Sequence, residues 1–560
     1  MKAAFLLCVL SATSLLVNAN GNSIDHQQRE SSLEDFIKAQ QKISLQGMLD
    51  NIVDGLVVAS RTAALTFKVL IERLSVTDKP KISDHIDDYV KSQDMLQLMS
   101  NPSGGPWSGG LGEPKFYPNG TAFTGAWNRP QQDGPALRAT ALIIYAKHLL
   151  AAEEGTKYPL YYLSRVKFEI WPIIMNDLRH TARYWNHTSF DLWEETNGSS
   201  FFTLSASHRA LVEGMALAKT LDRRCDGCAS AAPQILCFME TFWDTNYMHA
   251  NFNDKGQPSG IDASTILSSV HTALVNHKTV TDAFRSLYGI SSGVAQNRGV
   301  AVGRYLEDDD HGGNPWFLTT LAAAEQLYLA CDQWLDQGQI TVDETSLPFF
   351  QNLLPGIRVG TYGYGPFYTA RSKNDFKAIL FTVFDHADSY MAVVRKYTPP
   401  DGRLPAQFDR NNGQTIYPSD FTWSHAAFYT AANRRSGVRG PSWGEPLNNT
   451  FESSQCYCHA RVTFHVRSES TNVLFVVGDV PELGNGKTKD ARMLTRTGSI
   501  ASKSANYSAQ IDVPALTTIE YHYYMVNGGV PEEEEWNKYR YIKTGDCGSN
   551  VDTSLDTFFY

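Results

Sequence analysis

Apolar residues recur at helical spacing over most of the chain, from about residue 35 to residue 445. Residues 135–146 begin with a proline just inside a helix start and continue with apolar side chains three and four positions apart. The same period appears in three further stretches: 207–216, 316–325 and 421–428. Loops rich in glycine, proline and asparagine, such as residues 101–106, separate them. Helices joined by long loops are typical of an all-α domain whose loops build a pocket.

The period changes to two near residue 455. Apolar and polar residues alternate in the stretches 461–466, 473–476, 507–513 and 519–524. This alternation predicts short antiparallel strands, and their spacing is typical of a β-sandwich. We therefore expect a helical domain over residues 20–450 and a β-sandwich domain over residues 456–560.

The start of the chain is typical of a secretory signal peptide. Lys2 precedes the apolar run 3–10, and Val17, Asn18 and Ala19 form a small-residue cleavage site. The run is too short to span a bilayer, and no other apolar run is long enough. We expect residues 1–19 to be removed and the protein to be secreted to the extracellular space, with no membrane attachment.

Export makes disulfides possible. The Cys225-x-x-Cys228 spacing could belong to half a zinc site or to a redox motif. No second pair of cysteines or histidines follows at metal-ligand spacing, so a local disulfide is predicted. Removing Cys8 with the leader leaves an odd number of cysteines, and Cys331, in a helical apolar pattern, is predicted to be a buried thiol. Glycosylation is predicted at the sequons Asn119, Asn186, Asn197, Asn448 and Asn506.

Composition narrows the possible partners. The net charge is −10, and no basic stripe is visible, which argues against nucleic acid. Aromatic residues make up 12% of the chain, which suits sugar stacking but is also normal for a large secreted protein. We see no cluster of metal ligands and expect neither a metal nor a cofactor. A monomer is expected.

Residues 191–195 concentrate the candidate chemistry. Asp191, Glu194 and Glu195 supply three carboxylates beside the indole of Trp193. Glycosidic-bond cleavage needs a carboxylic acid for the leaving oxygen and a flat wall for the sugar ring. Glu194 is therefore the candidate acid. The alternative is a pair of glutamates exposed to water at a helix end.

Residues 191–202 closely resemble the general-acid motif of the glucoamylases, glycoside hydrolase family 15. The resemblance implies an (α/α)6 barrel and exo-hydrolysis, with inversion, of α-1,4 and some α-1,6 links at the non-reducing ends of starch, glycogen or related α-glucans. It implies that Glu194 is the acid, that Asp191 tunes it, that the Trp193 backbone lines the pocket, and that Glu195 binds sugar hydroxyls.

Further blocks carry the resemblance: 110–116, 125–135, 303–308, 420–424 and 433–435. They imply that Trp127 contacts the substrate and that Arg304 and Asp308 bind sugar, the arginine by forking two hydrogen bonds to neighbouring hydroxyls. The alternatives are a core tryptophan and a plain surface ion pair.

Two departures from the family pattern affect the subsite where glucose is cleaved. Ala406 stands where the family has its catalytic base. An aromatic loop is missing between Ser60 and Arg61, so that Arg61 keeps a substrate-binding position while Thr62 replaces an aspartate that grips the terminal glucose. We expect impaired or absent turnover. The alternatives are a water held by Asp409, a gene-model error at the missing loop, and an inactive glucan-binding protein.

The β-sandwich domain resembles the starch-binding module of carbohydrate-binding family 20. The residues that carry this resemblance are Val477-Gly478, Leu483-Gly484, Glu520-Tyr521, Glu535-Trp536, Cys458 and Cys547. It implies a bond between the two cysteines and glucose stacking on Trp536 and Tyr507. Gly486 replaces part of a tryptophan motif and His522 replaces a lysine, so we expect weakened starch binding.

Overall fold

The computed structural model divides the chain into two compact units, with the boundary between Leu447 and Asn448. The residues described are 23–560 except for these gaps: 53–59, 75–79, 154–159, 244–246, 253–259, 272–276, 366–367, 417–419, 439–458, 470–472, 485–487, 498–503, 515–517, 528–529, 534–539, 546–548 and 559–560. The predicted signal peptide, 1–19, lies outside the described residues.

The first unit is built from helices. In chain order they are α1 Ser23–Asp50, α2 Ser60–Leu74, α3 Pro80–Gln97, α4 Asp133–Glu153, α5 Tyr161–Arg165, α6 Trp171–Tyr184, α7 Phe201–Thr220, α8 Cys228–Glu240, α9 Ser264–His271, α10 His277–Arg285, α11 Phe317–Gln337, α12 Leu347–Leu353, α13 Ala370–Tyr397 and α14 Thr422–Arg435. A π-helical turn, Val166–Ile170, joins α5 to α6. All four predicted helical stretches lie on these elements.

Six of these helices form a closed inner ring in which each packs against the next and the last against the first: α2, α4, α7, α9, α11 and α14. Six further helices pack against the outside of this ring: α1, α3, α6, α8, α10 and α13. Inner and outer helices alternate along the chain. This is the (α/α)6 barrel that the family resemblance led us to expect.

Helices of the inner ring are covered on two sides, and their sequences reflect this. In α11 the run Leu321–Ala324 is fully or almost fully buried, because alanine side chains let neighbouring helices approach closely. The helix ends at Gly338, whose φ of 70° favours glycine. No helix in the described part of the chain is both long and apolar enough to cross a bilayer.

A buried charge cluster lies among three inner helices. Lys68 and Glu72 of α2 form an ion pair of 2.9 Å. Arg434 of α14 lies 3.5 Å from Glu72 and 3.7 Å from Glu325 of α11. All four side chains are at most 7% exposed. Buried charges of this kind are tolerated only when they are mutually paired.

Short strand pairs fix the loops of the first unit. They are β1 Ser189–Phe190, β2 Asn197–Ser200, β3 Asn251–Phe252, β4 Gln339–Val342, β5 Gly360–Gly363, β6 Gln407–Phe408 and β7 Thr415–Ile416. β1, β2 and β3 form one antiparallel sheet, in which Phe190 pairs with Asn197. Residues 191–196, which carry the candidate acid, are therefore the turn of a hairpin.

The cysteine predictions for the first unit agree with the structure. Cys225 and Cys228 form a disulfide at the start of α8. Cys331 is a buried thiol, and its Sγ lies 3.8 Å from the Leu380 carbonyl oxygen. Burial raises the pKa of this thiol well above its ordinary range, so it stays protonated.

The second unit is a β-sandwich with strands β8 His459–Ser468, β9 Val473–Gly478, β10 Arg492–Met493, β11 Thr495–Thr497, β12 Ala505–Pro514, β13 Thr518–Asn527, β14 Val530–Glu533, β15 Arg540–Lys543, β16 Asn550–Asp552 and β17 Asp556–Phe558. One sheet has the order β10-β9-β13-β14 with β15 also on β13, and the other has β11-β12-β8-β16 with β17 also on β8. The four predicted strands pair antiparallel, β8 with β12 and β9 with β13, whereas the short strands β16 and β17 run parallel to β8.

Candidate active site

The hairpin turn at 191–196, here called the acid loop, is closed by the Asp191 side chain. Its Oδ1 accepts hydrogen bonds from the backbone N–H groups of Glu195 (3.0 Å) and Thr196 (3.1 Å). Asp191 is 1% exposed, and burial raises the pKa of its carboxyl group although these two backbone donors oppose the rise. Asp191 thus braces the loop that carries Glu194.

Glu194 has an unusual backbone. Its φ is 67°, in the left-handed region that non-glycine residues rarely occupy. Its N–H donates to the Asp191 carbonyl at 3.0 Å, and its own carbonyl accepts from the Asn128 side-chain amide at 2.6 Å. The Glu194 side chain is 30% exposed, so its carboxylate is open to a ligand. Strained residues held in this way are concentrated at functional sites.

Arg61 lies behind the acid loop. It is 6% exposed, and its guanidinium donates to the Leu192 carbonyl (2.8 Å), the Gln131 side chain (2.8 Å) and both oxygens of Asp133. The carboxylate of Glu194 lies 3.4 Å away. Because each N–H of the guanidinium has a protein acceptor, the predicted role of Arg61 in binding substrate does not fit its placement.

The predicted sugar-binding residues Arg304, Asp308 and Glu195 form one cluster. Arg304 forks onto Asp308 at 2.9 and 2.7 Å, and it donates to Glu195 at 2.7 Å. Tyr305 donates its hydroxyl proton to the other Glu195 oxygen. Arg304 and Asp308 are buried, whereas the Glu195 side chain is 36% exposed and can meet a ligand.

Two indoles lie beside this cluster. The Arg304 guanidinium is 5.7 Å from the Trp193 ring centre and 5.4 Å from that of Trp316. The Trp193 Nε1 donates to both oxygens of Asp262 at 3.0 Å. Asp262 is fully buried; burial, with a smaller contribution from the charge of nearby Asp191, raises its pKa to about 7. Sequence reasoning missed Asp262, because no local motif marks it.

Trp127 is on the surface, and its loop is fixed by an ion pair. The indole is 40% exposed, as expected for a ligand contact rather than a core tryptophan. Glu113, whose side chain is buried, accepts from Arg129 at 3.1 Å, and Arg129 donates in turn to the Gly125 carbonyl at 3.1 Å. The Glu113–Arg129 pair therefore holds the turn that presents Trp127, a function that sequence reasoning did not assign to either residue.

The segment that contains Ala406 is hydrogen-bonded, through its backbone, to the segment that contains Trp316. The Ala406 carbonyl accepts from Phe317 N–H at 3.1 Å, and the next residue, Gln407, forms a β-bridge with Trp316. Ala406 is 2% exposed and offers no proton acceptor in its side chain. Asp409, the alternative base, uses Oδ1 to accept from the N–H groups of Asn411 and Asn412, both at 2.8 Å.

The predicted starch-stacking residue Tyr507 is buried in the core of the second unit. Only 3% of it is exposed, so its ring cannot stack on a sugar, which corrects the expectation for this residue. The pattern was misleading because Tyr507 lies on the inward face of β12. Trp536, Gly486, Cys458, Cys547 and Asn448 lie outside the described residues. The other predicted sequons are exposed: Asn119, Asn186, Asn197 and Asn506.

Comparison with known proteins agrees with this geometry. Residues 38–433 match the model of glycosyl hydrolases family 15, and residues 459–552 match that of the starch binding domain. The chain is 37% identical to a glucoamylase of Neurospora crassa, over 94% of this chain and 95% of the relative. Glucoamylase P of Amorphotheca resinae is 38% identical, with 88% of each chain covered.

Among solved structures, the family 15 glucoamylase of Hypocrea jecorina superposes with a TM-score of 0.69 at 36% identity, covering 94% of this chain and 100% of that one. The structure of the Hormoconis resinae glucoamylase gives the same TM-score and identity. Both matches extend over the helical unit and the β-sandwich. The chain therefore belongs to the glucoamylases of glycoside hydrolase family 15 and carries a C-terminal starch-binding domain.

Proposed function

We propose that this chain binds the non-reducing ends of α-1,4-linked glucans, such as starch or glycogen, and that it releases their terminal glucose only slowly. The observation that carries the proposal is the contrast between the side of the site with the candidate acid, Glu194, and the side where the family resemblance implies a base. The acid loop, the Arg304 cluster and Trp127 are assembled, whereas Ala406 stands where a base is required.

The acid side is suited to its part of the reaction. Glu194 would give its proton to the glycosidic oxygen as the bond from that oxygen to the anomeric carbon breaks. Glu195, held in place by the buried Arg304–Asp308 pair, would bind sugar hydroxyls, and Trp127 would stack on a ring. Asp191, being buried, would act through the loop geometry.

The base position, Ala406, carries a side chain that cannot accept a proton. In an inverting reaction, water attacks the anomeric carbon from the opposite face and must lose a proton as it does so. The methyl group of Ala406 cannot take this proton, and one oxygen of Asp409 is already used in its own turn. Loss of one member of a catalytic pair lowers kcat by several orders of magnitude.

A second candidate is an entirely inactive glucan-binding protein, and Ala406 is again the observation that favours it. For either candidate we infer a secreted, glycosylated monomer that uses no metal or cofactor. The starch-binding domain and the family support the glucan as partner. The exposed sequons are compatible with glycosylation.

The test is glucose release from maltoheptaose by the purified full chain and by the variants Ala406→Glu and Ala406→Gln. We expect little release from the parent, a gain of at least about a thousandfold for the glutamate variant, and none for glutamine, which matches its size without being a base. A thermal melt of each protein checks that the larger side chain is accommodated.

The outcomes separate the candidates. Enzyme-like turnover by the parent would show that another group positions the water. If all three proteins are inactive but bind maltoheptaose, the binding-protein candidate holds. If none binds, the proposed function is wrong.

A further inference from the structure

A buried carboxylate lies where two segments of the site meet. Asp262 comes just before α9, and its backbone forms a β-bridge with Tyr305. The next residue, Ala263, donates its N–H to the Arg304 carbonyl at 2.7 Å. The Asp262 side chain bonds to the other segment, the acid loop, because both of its oxygens accept from the Trp193 Nε1–H at 3.0 Å. One residue thus joins the Arg304 segment to the acid loop.

The indole that Asp262 holds is itself a support for Arg304. The Arg304 guanidinium lies 5.7 Å from the Trp193 ring centre, and the ring centres of Trp193 and Trp316 are 6.1 Å apart. An indole that rotated about its side-chain bonds would no longer face the guanidinium. The hydrogen bond to Asp262 opposes that rotation, because a buried N–H that loses its acceptor costs free energy.

A second link between the same two segments is open to ligands. Arg304 and Tyr305 both bond to the Glu195 carboxylate, but the Glu195 side chain is 36% exposed, so sugar hydroxyls would compete for its oxygens. Asp262 and Trp193 are both buried, and a sugar cannot reach the bond between them. While a glucan is bound, the Asp262–Trp193 bond is therefore the link that keeps the spacing of the two segments.

We propose that Asp262 is a positioning residue for glucan cleavage, which acts through Trp193 to fix the distance between Glu194 and the sugar. The inference rests on the proposed function and adds to it the group that sets the geometry of the acid. A displacement of about 1 Å at a reacting atom can lower the rate about a hundredfold. Loss of positioning should therefore lower kcat and leave KM almost unchanged.

The first test is glucose release from maltoheptaose by the full chain and three single variants. Asp262→Ala removes both acceptor oxygens, Trp193→Phe removes the donor but keeps a ring, and Asp262→Asn keeps one acceptor oxygen. We expect kcat to fall about ten- to a hundredfold for the first two and less than about threefold for the third, with KM within about threefold throughout. The double variant Asp262→Ala/Trp193→Phe should be no slower than the slower single variant, because both changes remove one interaction.

The second test is amide hydrogen exchange, which needs no turnover. Asp262→Ala and Trp193→Phe should both speed exchange over the acid loop. Only Asp262→Ala should also speed it in the first turn of α9, because Asp262 accepts from the Ser264 N–H at 2.6 Å. Asp556→Ala is the matched control, since this mostly buried carboxylate accepts from two tyrosine hydroxyls in the second unit. It should change neither kcat nor exchange in the acid loop.

The outcomes are distinct. Unchanged kcat in Asp262→Ala, or losses that add in the double variant, would overturn the inference. Faster exchange in α9 alone would overturn it too, since Asp262 would then be only a helix cap. If Asp262→Ala does not fold, Trp193→Phe decides by the same two measurements. If the parent releases no glucose, the slow release in the proposed function is wrong, and exchange in the acid loop decides whether Asp262 positions it.

Discussion

One guanidinium nitrogen of Arg61 donates to the Leu192 carbonyl at 2.8 Å and lies 3.4 Å from the Glu194 carboxylate. Arg61 is in the first turn of α2, which begins at Ser60. The first turn of an inner helix is therefore joined directly to the acid loop. This contact gives Arg61 a structural role at a position where the family resemblance implied a sugar contact.

Arg61→Lys should loosen the acid loop, since an ammonium cannot fork onto Asp133 and the loop carbonyls at once. We expect faster amide hydrogen exchange over residues 191–196 and a loss of about 2–4 kcal/mol in the free energy of unfolding. Arg138→Lys is the control, because Arg138 is equally buried and bonds to Asp177, Ser60 and the Leu111 carbonyl rather than to the acid loop. A similar change in loop exchange in both variants would contradict the role assigned to Arg61.

Glu194→Gly should stabilise the fold by about 0.5–1 kcal/mol, because glycine adopts a φ of 67° without strain. Asp222→Gly is the matched control, since Asp222 is exposed with a φ of 53°. Chemical denaturation of both variants measures the effect. A destabilised Glu194→Gly beside a stabilised Asp222→Gly would mean that the Arg61 contact outweighs the backbone strain.

Asp262 should make stability depend on pH. Its folded-state pKa of about 7 exceeds the unfolded value of about 3.9, so the folded state retains the proton longer. The resulting stabilisation is complete below pH 4 and is lost as the pH rises towards 7. Asp262→Asn should remove this dependence. We expect the free energy of unfolding of the variant, relative to the parent, to rise by a few kcal/mol from pH 4 to pH 8, and a flat difference would refute the assignment.

Arg434→Met should be strongly destabilising. It leaves Glu325 buried without its guanidinium partner, and breaking a buried pair from one side costs about 3–5 kcal/mol. The double variant Arg434→Met/Glu325→Gln should recover part of that loss, because the stranded charge is removed as well. Thermal unfolding of the single and double variants measures both effects. No recovery would show that packing of the arginine stem, rather than its charge, sets the cost.

The sequence predicted the fold well where local patterns decide it. Residues 135–146 show a helical period and residues 461–466 alternate, because in each case one face of the element packs on a core. Both elements, α4 and β8, are present in the structure. The parallel pairing of β16 and β17 with β8 could not be predicted, because short edge strands show no periodicity that distinguishes the two directions.

The site was predictable only in part. Arg304, Asp308 and Glu195 do lie together, as the family motifs implied. Alternation could not reveal that the Tyr507 ring faces inward, since either face of a strand can carry a tyrosine. The anchoring of Trp193 by Asp262 joins residues 69 positions apart, and no local pattern encodes such a contact.

The closed inner ring affects how the chain folds during its synthesis. Its seam joins α2, which begins at Ser60, to α14, which ends at Arg435. During synthesis the ring therefore stays open until nearly all of the helical unit has left the ribosome, and the apolar flanks at the seam remain without partners in the meantime. Contacts between such distant segments slow folding and prolong the exposure of apolar, aggregation-prone surface. The nascent chain should consequently depend on chaperones until its last inner helix emerges.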